Sequence, residues 1–277
     1  MQLCYYTIVP NQVTHPWTQE ELQFLEENIK KLTYKEMGKY IHRTPASIQS
    51  KIRYLPFQQK IKKHSVNSHF FKKWSIEMAY VLGFIGADGN ICHSGRAHTL
   101  HIACDDKDVI EKIRGVLDYK GPIHLKYRPN GKISYSLRIC DPIIFNDLNK
   151  LGVTERKSLT FTPPKIPAEF IRHFIRGYFD GDGSVSVRNI KYPSKLTVSI
   201  YTASIHMAYY LHKTLLLSLG DIYQGNILTY LAHQKTPYYT IHLGHKGSVK
   251  LFTYMYTNTT LYLERKYQKF MEGMYVS

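Results

Sequence analysis

The chain has 277 residues, 43% of them hydrophobic, which is enough for one large domain or two unequal ones and excludes wholesale disorder. Lys and Arg outnumber Asp and Glu by 37 to 21, so the formal charge is +16. This excess indicates a polyanionic partner, nucleic acid first, and a merely soluble basic protein is the alternative. No apolar run is long enough to span a bilayer, so no membrane partner is expected.

The expected location is intracellular: the cytoplasm of a bacterial or phage-infected cell, or an organelle. The N-terminal sequence lacks a charged region followed by an apolar one, so no secretion signal is evident. The four cysteines are scattered without a C-x-x-C pair, which predicts neither a zinc ribbon nor a disulfide framework.

Residues 1–56 are predicted to form a small all-α domain. Thr18 and Thr33 each stand three positions before a glutamate, the capping-box spacing, and Thr44 precedes Pro45, which is typical of a helix start. Three short helices in this order match a helix-turn-helix, whose last helix reads the DNA major groove. The outward positions of that helix would be Ser47, Gln49, Ser50, Lys51 and Arg53. A three-helix domain that does not bind DNA is the alternative.

Residues 57–73 are polar and basic, with five lysines and no helical periodicity. This composition predicts a basic linker that lies along a phosphate backbone. A solvated tether without a DNA contact is the alternative.

Two similar nonapeptides organise the rest of the chain: Val81–Gly89 reads V-L-G-F-I-G-A-D-G, and Ile175–Gly183 reads I-R-G-Y-F-D-G-D-G. In each, small residues stand four apart and leave a bare stripe on one helical face, because residues i and i+4 stack one above the other. Such stripes let two helices approach closely and form a seam. The seam residues are Gly83, Ala87, Gly177 and Gly181.

Helices packed along these stripes would bring Asp88 and Asp182 side by side. Two carboxylates held together repel each other unless they are protonated or bridged by a cation. The pair therefore predicts a divalent-metal site, whereas either nonapeptide taken alone could be a plain packing device.

From residue 74 onward the predicted elements run twice through the order α-β-β-α-β-β-α. This gives an α+β fold with two pseudo-symmetric halves, 74–165 and 166–277, each with an antiparallel sheet. One face of each sheet would pack on helices, and the two outer faces would form a saddle suited to a DNA major groove. The candidate DNA contacts on the strands are Lys126, Arg128, Arg138, Arg188, Lys191, Lys195, His233 and Lys235. A merely solvated charged face is the alternative.

The repeated nonapeptides resemble the two signature motifs of single-chain LAGLIDADG homing endonucleases, and the likeness covers about residues 74–275. The N-terminal unit resembles the Myb/SANT-type helix-turn-helix units found beside mobile-element endonucleases. The resemblance implies that Asp88 and Asp182 bind the catalytic metal ions, with the backbone carbonyls of Ala87 and Gly181 as further oxygen ligands. The ions implied are two or three Mg²⁺ shared between the two aspartates, for which Mn²⁺ could substitute.

Two lysines follow from the same resemblance as catalytic residues of basic pockets. Lys157 lies in L-G-V-T-E-R-K-S-L, and Lys266 lies in its counterpart, L-E-R-K-Y-Q-K-F. The first motif departs from the signature by having Gly86 where the second keeps Asp180, which implies asymmetry rather than inactivity. Asp105 and Thr202, at strand ends, are the candidates for organising the attacking water.

The function implied is site-specific, Mg²⁺-dependent hydrolysis of both strands of a long DNA target. The family likeness implies short 3′ overhangs, a monomeric enzyme and mobility of the intron or gene that encodes it. Double-stranded DNA is the expected partner, and intron RNA is a second one. The alternative is a non-cleaving nucleic-acid binder, either an intron RNA maturase or a transcription regulator. The usual mark of such a protein, loss of the metal-binding carboxylates, is absent here.

Overall fold

A computed structural model of the chain describes residues 15–29, 31–55, 64–94, 97–129, 131–190, 192–231 and 237–275. The chain divides into two compact units, one N-terminal to residue 64 and one from His64 onward. Within the described residues no helix is long and apolar enough to cross a membrane.

The N-terminal unit is a bundle of three short helices. They are α1 (Gln19–Asn28), α2 (Tyr34–Ile41) and α3 (Pro45–Ile52). Thr18 and Thr33 begin the first two helices with complete capping boxes, and the Thr44 hydroxyl accepts a hydrogen bond from the Ser47 N–H at the start of the third. These caps satisfy backbone donors that have no partner inside a helix. The three helix starts therefore lie where the sequence predicts them.

A small apolar core and one ion pair hold this unit together. Five buried side chains form the core: Leu25, Ile29, Met37, Ile48 and Ile52. Arg43 lies in the turn between α2 and α3, and its Nε donates to Glu21 Oε1 at 2.8 Å. The same guanidinium lies over the Trp17 ring, 4.5 Å from its centre, so one side chain ties the third helix to the first.

The second unit contains seven helices and eight strands among its described residues. The helices are α4 (Ile76–Asp88), α5 (Lys107–Val116), α6 (Pro142–Lys150), α7 (Ala168–Asp182), α8 (Ile205–Leu219), α9 (His245–Tyr256) and α10 (Glu264–Tyr275). The strands are β1 (Gly89–Ser94), β2 (Ala97–Cys104), β3 (His124–Tyr127), β4 (Ile133–Cys140), β5 (Gly183–Ile190), β6 (Tyr192–Thr202), β7 (Ile227–Leu231) and β8 (Pro237–Leu243). Thus the α-β-β-α-β-β-α order occurs twice.

The strands form two antiparallel sheets of the same topology, ordered β1-β2-β4-β3 and β5-β6-β8-β7. In each sheet, alternate side chains enter the core, as Leu100 and Ile102 do in the first and Val198 and Ile200 in the second. The intervening side chains lie on the opposite face, because successive residues of a strand point to opposite sides. The α+β class and the repeated half predicted from the sequence are confirmed.

The segment 64–73 differs from the linker that its composition predicts. Phe71 is buried in the core of the second unit, and the ammonium group of Lys72 donates to Asp147 at 2.6 Å. The backbone also joins the unit, since the Asn67 N–H donates to the Leu117 carbonyl at 3.0 Å. One aromatic anchor and these polar contacts make residues 64–73 part of the body, while the rest of the predicted linker, 57–63, lies outside the described residues.

Helices α4 and α7 approach each other closely along the two small-residue stripes. A Cβ atom added at Gly83 would lie 2.1 Å from the Phe174 carbonyl oxygen, and one added at Gly177 would lie 1.9 Å from the Tyr80 carbonyl oxygen. One added at Gly181 would lie 2.4 Å from the Ala87 Cβ. Only a residue without a Cβ fits at Gly83 or Gly177, because the backbone of the facing helix lies directly against it. At Gly181 the Ala87 methyl group occupies the space instead. This contact, the α4–α7 seam, brings the C-terminal ends of both helices together.

We expect Gly177→Ala to destabilise the second unit by about 3 kcal/mol, because the added methyl group would meet backbone that cannot move aside. Thermal and denaturant unfolding of the full chain measure the change. Gly115→Ala in α5 is the matched control, since nothing lies within 4 Å of its added Cβ. The control should gain up to about 1 kcal/mol from helix propensity. Equal stability of the two variants would contradict a closely packed seam.

Candidate active site

Asp88 and Asp182 are the last residues of the two seam helices. Each helix passes directly into a strand, because Gly89 and Gly183 adopt extended backbone conformations rather than the left-handed one usual after a helix. Their lack of a side chain serves packing instead: a Cβ at Gly183 would lie 2.2 Å from the Phe179 ring. Both carboxylates therefore project from adjacent helix ends at the base of the two sheets.

The two aspartates share one electrostatic environment. The pKa of Asp182 is raised to about 6, from an ordinary value of 3.8, by loss of surrounding water and by the negative charge of Asp88. The pKa of Asp88 is also raised, by desolvation, although part of its surface reaches solvent. Lys157 and Lys266 act on both carboxyl groups in the opposite sense. The two aspartates and the two lysines thus form one interacting cluster.

Lys266 is buried at the C-terminal end of α7. Its ammonium group donates to the carbonyl oxygens of Phe179 at 2.8 Å, Asp180 at 2.7 Å and Gly181 at 3.1 Å. These carbonyls belong to the last turn of the helix, where the helix dipole is negative. The Phe179 carbonyl also accepts from the Gly183 N–H, whereas the last carbonyls of a helix have no donor within it. The lysine therefore caps α7 and carries a positive charge next to Asp182.

Lys157 is the counterpart at the end of α4. It lies in the short 3₁₀ turn Lys157–Leu159, is buried, and donates to the Ala87 carbonyl oxygen at 3.3 Å. Burial lowers the pKa of both lysines. The carboxylates of Asp182 and Asp88 oppose this effect at Lys157, and Asp180 opposes it most strongly at Lys266. Each half of the fold thus supplies one aspartate and one lysine.

The donor set at the seam fits a magnesium-type ion better than a closed structural metal site. In the described part of the chain no group of three or more His, Cys, Asp or Glu could hold a metal ion. Mg²⁺ takes one or two carboxylates and completes its shell with water and phosphate oxygens, which is what Asp88 and Asp182 would leave open. The carbonyls of Ala87 and Gly181, expected from the sequence to be ligands, each accept a hydrogen bond from a lysine.

Comparisons with known proteins agree with this architecture. Residues 169–253 match a sequence-family profile described as LAGLIDADG-like domain, whereas no curated protein sequence matches the chain. Among solved structures, the homing endonuclease I-WcaI bound to its DNA recognition sequence is 17% identical, with a TM-score of 0.53 over 79% of this chain and 97% of that one. I-DmoI in complex with DNA and Ca is 15% identical, with a TM-score of 0.47 over 74% and 99%.

The chain has the LAGLIDADG homing endonuclease fold. The matched profile spans α7 to α9, that is, most of the second half. The first half repeats the same strand order without a profile match, so its membership in the fold rests on topology.

The candidates for organising water lie near the two aspartates. The Tyr178 hydroxyl donates to the Tyr201 carbonyl oxygen at 3.4 Å and lies near the side chains of Asp182 and Thr202, which both influence its pKa. Asp105 contributes negative charge at Asp88, and its carboxylate also pairs with Arg128 at 2.8 Å. Tyr178 was not predicted from the sequence, because its position in the motif is otherwise that of a packing residue.

In this LAGLIDADG fold, polar residues line up in rows across the outer sheet faces. Strand register places Asn90, His101 and Arg138 side by side in the first sheet, directly after Asp88. Ser184, Ser199 and His242 occupy the equivalent row after Asp182. Only Arg138 of these six was predicted from the sequence; the others are uncharged or weakly basic, and finding them needs the strand register.

The predicted DNA contacts fall into three groups. Lys126 and Arg138 are exposed on the first sheet, whereas Arg128 is engaged with Asp105. In the N-terminal unit Gln49 and Ser50 on α3 and Arg53 directly after it are exposed, while Ser47 and Lys51 are half-buried. The remaining candidates cannot be placed: Lys191, His233 and Lys235 lie outside the described residues, as do the side chains of Arg188 and Lys195.

We expect Asp182→Asn to stabilise the metal-free protein at pH 7 by about 2 kcal/mol, after allowance for partial exposure. A carboxyl group whose pKa is about 6 in the folded state and 3.8 when unfolded binds its proton more tightly in the folded state. Stability is therefore greatest below the unfolded value and declines as pH rises through about 6. The asparagine variant lacks that decline, so its advantage should vanish near pH 4.

Denaturant unfolding between pH 4 and 8 measures this difference. Asp118→Asn, the same change at an exposed carboxyl group, should stay within about 0.5 kcal/mol of the parent. Millimolar Mg²⁺ should stabilise the parent chain and leave Asp182→Asn unchanged. A variant less stable than the parent at pH 7 would contradict a strained carboxylate pair.

Proposed function

We propose that this protein is a site-specific DNA endonuclease of the LAGLIDADG homing type, dependent on Mg²⁺. The observation that carries the proposal is the cluster of Asp88, Asp182, Lys157 and Lys266 at the ends of two helices in direct contact, between two antiparallel sheets. Known proteins with this fold include I-WcaI, solved with its DNA recognition sequence bound. The net charge of +16 suits a DNA partner.

Phosphodiester hydrolysis needs an attacking water, stabilisation of the charge that develops on the phosphate, and help for the leaving oxygen. Bound Mg²⁺ ions would supply Lewis-acid assistance for these steps. Asp88 and Asp182 would hold the ions and so fix the scissile phosphates at the seam. Lys157 and Lys266 would place positive charge near the attacking water and the phosphate, without transferring a proton themselves. The Tyr178 side chain beside Asp182 would limit the movement of that carboxylate.

The pseudo-symmetry of the site suggests that each half serves one DNA strand. Both strands would be cut across the seam, leaving short 3′ overhangs, and a single chain would suffice. A homing function, with mobility of the encoding intron or gene, follows from this activity. The natural substrate would be the uninterrupted sequence into which the reading frame is inserted. Binding of intron RNA would be a second activity of the same sheet surfaces.

The polar rows nearest the aspartates are the proposed readers of the central bases. Arg138 can donate two hydrogen bonds to a guanine, and Asn90 can pair with an adenine edge. His242 accepts from or donates to the Ser199 hydroxyl at 3.0 Å, which fixes its ring orientation. The exposed Lys126 on the edge strand β3 would contact phosphates. These roles together would give recognition that is strongest close to the cut.

We expect Asp88→Asn and Asp182→Asn to abolish linearisation of a supercoiled plasmid that carries the uninterrupted target, with Mg²⁺ present. Removal of either carboxylate should lower the rate by a factor of about 10³ or more. DNA binding should persist and should weaken steeply with salt, because phosphate contacts release counterions. Asp118→Asn is the control with full activity. Cleavage by either site variant at the parental rate would refute the metal assignment, and intact binding without cleavage by the parent would favour a maturase or regulator.

We also propose that the N-terminal unit extends the DNA contact through α3. Combined Gln49→Ala and Arg53→Ala should shorten the nuclease-protection footprint at one end and lower the salt slope of binding by about one. The central cut should remain. Lys35→Ala, an exposed lysine on α2, is the matched control and should leave the footprint unchanged. An unaltered footprint in the double variant would exclude this helix as the reader.

A further inference from the structure

We propose that Asp180 is a positioning residue that holds Lys266 against the end of α7, so that the lysine of the second half is more firmly fixed than Lys157 of the first. The inference rests on the proposed function for its catalytic consequence. Its structural part is independent of that function. The expected consequence is unequal cleavage of the two DNA strands once the hold on Lys266 is loosened.

Asp180 is buried at the seam and accepts hydrogen bonds from three directions. The Tyr80 hydroxyl on α4 donates to Oδ2 at 2.8 Å, and the Tyr256 hydroxyl at the end of α9 donates to Oδ1 at 2.7 Å. The backbone N–H of Leu263 donates to Oδ2 at 2.8 Å. The proposed roles of Asp88 and Asp182 do not require these three hydrogen bonds to Asp180. These bonds indicate that the Asp180 carboxylate fixes the positions of Tyr80, Tyr256 and Leu263.

The bond to Leu263 matters most, because that residue immediately precedes α10. The Leu263 carbonyl accepts from the N–H groups of Lys266 and Tyr267, and the Leu263 N–H donates to Asp180. Asp180 therefore holds the start of the helix that carries Lys266. The lysine side chain then returns to α7, where one of its acceptors is the Asp180 carbonyl itself. Backbone and side chain of α10 are thus tied to the same turn of α7, and Lys266 has little freedom to leave it.

Arg176, one turn earlier on α7, braces the connection that leads to α10. Its Nε donates to the Leu261 carbonyl at 2.9 Å and its Nη1 donates to the Met255 carbonyl at 2.9 Å. Residues four apart lie on one helix face, so Arg176 and Asp180 hold this connection side by side. The segment from α9 to α10 is therefore anchored along its length.

The first half lacks this arrangement. Leu82 and Gly86 stand where α7 has Arg176 and Asp180, and a Cβ at Gly86 would lie 2.7 Å from the Phe161 ring. An aromatic ring therefore fills the position that a carboxylate occupies in the second half. Lys157 keeps a single hydrogen bond to its helix end, at 3.3 Å, against three for Lys266. The two lysines are therefore similarly buried but differ in the number of hydrogen bonds that fix their ammonium groups.

Lysine acylation followed by peptide mass spectrometry tests this on the parent protein without DNA. Lys266 should react about tenfold more slowly than Lys157 although both are buried, because its release requires a larger local opening. The exposed Lys213 on α8 provides the unprotected reference. Equal rates for Lys266 and Lys157 would overturn the inference directly.

Asp180→Asn adds a second test, since it removes the negative charge and one of the two acceptor oxygens. Its NH₂ must face either the Tyr256 hydroxyl or the Tyr80 hydroxyl together with the Leu263 N–H. Acylation of Lys266 should rise about tenfold in this variant, while that of Lys157 stays near the parental rate. Tyr80→Phe is the matched control: it removes one bond to Asp180 but leaves the Leu263 bond, and should keep Lys266 protected. A uniform rise at both lysines, or none at Lys266, would show that Asp180 is structural only.

Cleavage of an end-labelled target, followed separately on each DNA strand, then tests whether the position of Lys266 affects the cleavage rate. Asp180→Asn should accumulate nicked DNA, with one strand cut about tenfold more slowly than the other, and Tyr80→Phe should cut both alike. Equal slowing of both strands would overturn the catalytic consequence. If the parent cleaves no DNA while the acylation pattern is as expected, the proposed function fails and the positioning of Lys266 stands.

Discussion

The close contact of α4 and α7 is the constraint on which the rest of the second unit depends. Backbone lies against backbone at Gly83 and Gly177, so the helices cannot separate or slide without losing the contact. Because α4 and α7 end next to each other, the seam places Asp88 and Asp182 close together. The first strand of each sheet begins at the next residue. The carboxylate pair, costly by itself, is a consequence of the packing that joins the two halves.

The ends of α4 and α7 explain why two lysines lie beside the two aspartates of the seam. The last carbonyls of α4 and α7 lack intrahelical donors, and lysines from elsewhere in the chain supply them. Each lysine therefore satisfies helix carbonyls and offsets the aspartates at the same time. Removing water from this cluster raises the pKa values of the two aspartates and lowers those of the two lysines.

Much of this arrangement could be predicted from the chain, because its signals are local. Capping boxes mark where the first two helices begin, and alternating apolar and polar residues indicate the strands. The two nonapeptides identify Asp88 and Asp182. The polar rows needed the strand register, which joins residues far apart in sequence, such as Asn90 and Arg138. Asp180 likewise meets Tyr80 and Leu263 across 100 and 83 positions, and no local pattern shows such contacts. Phe71 anchors a segment whose lysines indicated a linker.

The unequal support of the two lysines is a property that only a single chain with two halves can have. Two identical subunits would carry the same residue at Gly86 and Asp180, and so would hold both lysines alike. Here one half uses an aromatic ring against a glycine and the other a buried carboxylate with three donors. A buried polar network costs desolvation but fixes its members more narrowly than apolar packing does. The seam can therefore remain symmetric at Asp88 and Asp182 and differ one turn away, where each half sets the freedom of its own lysine.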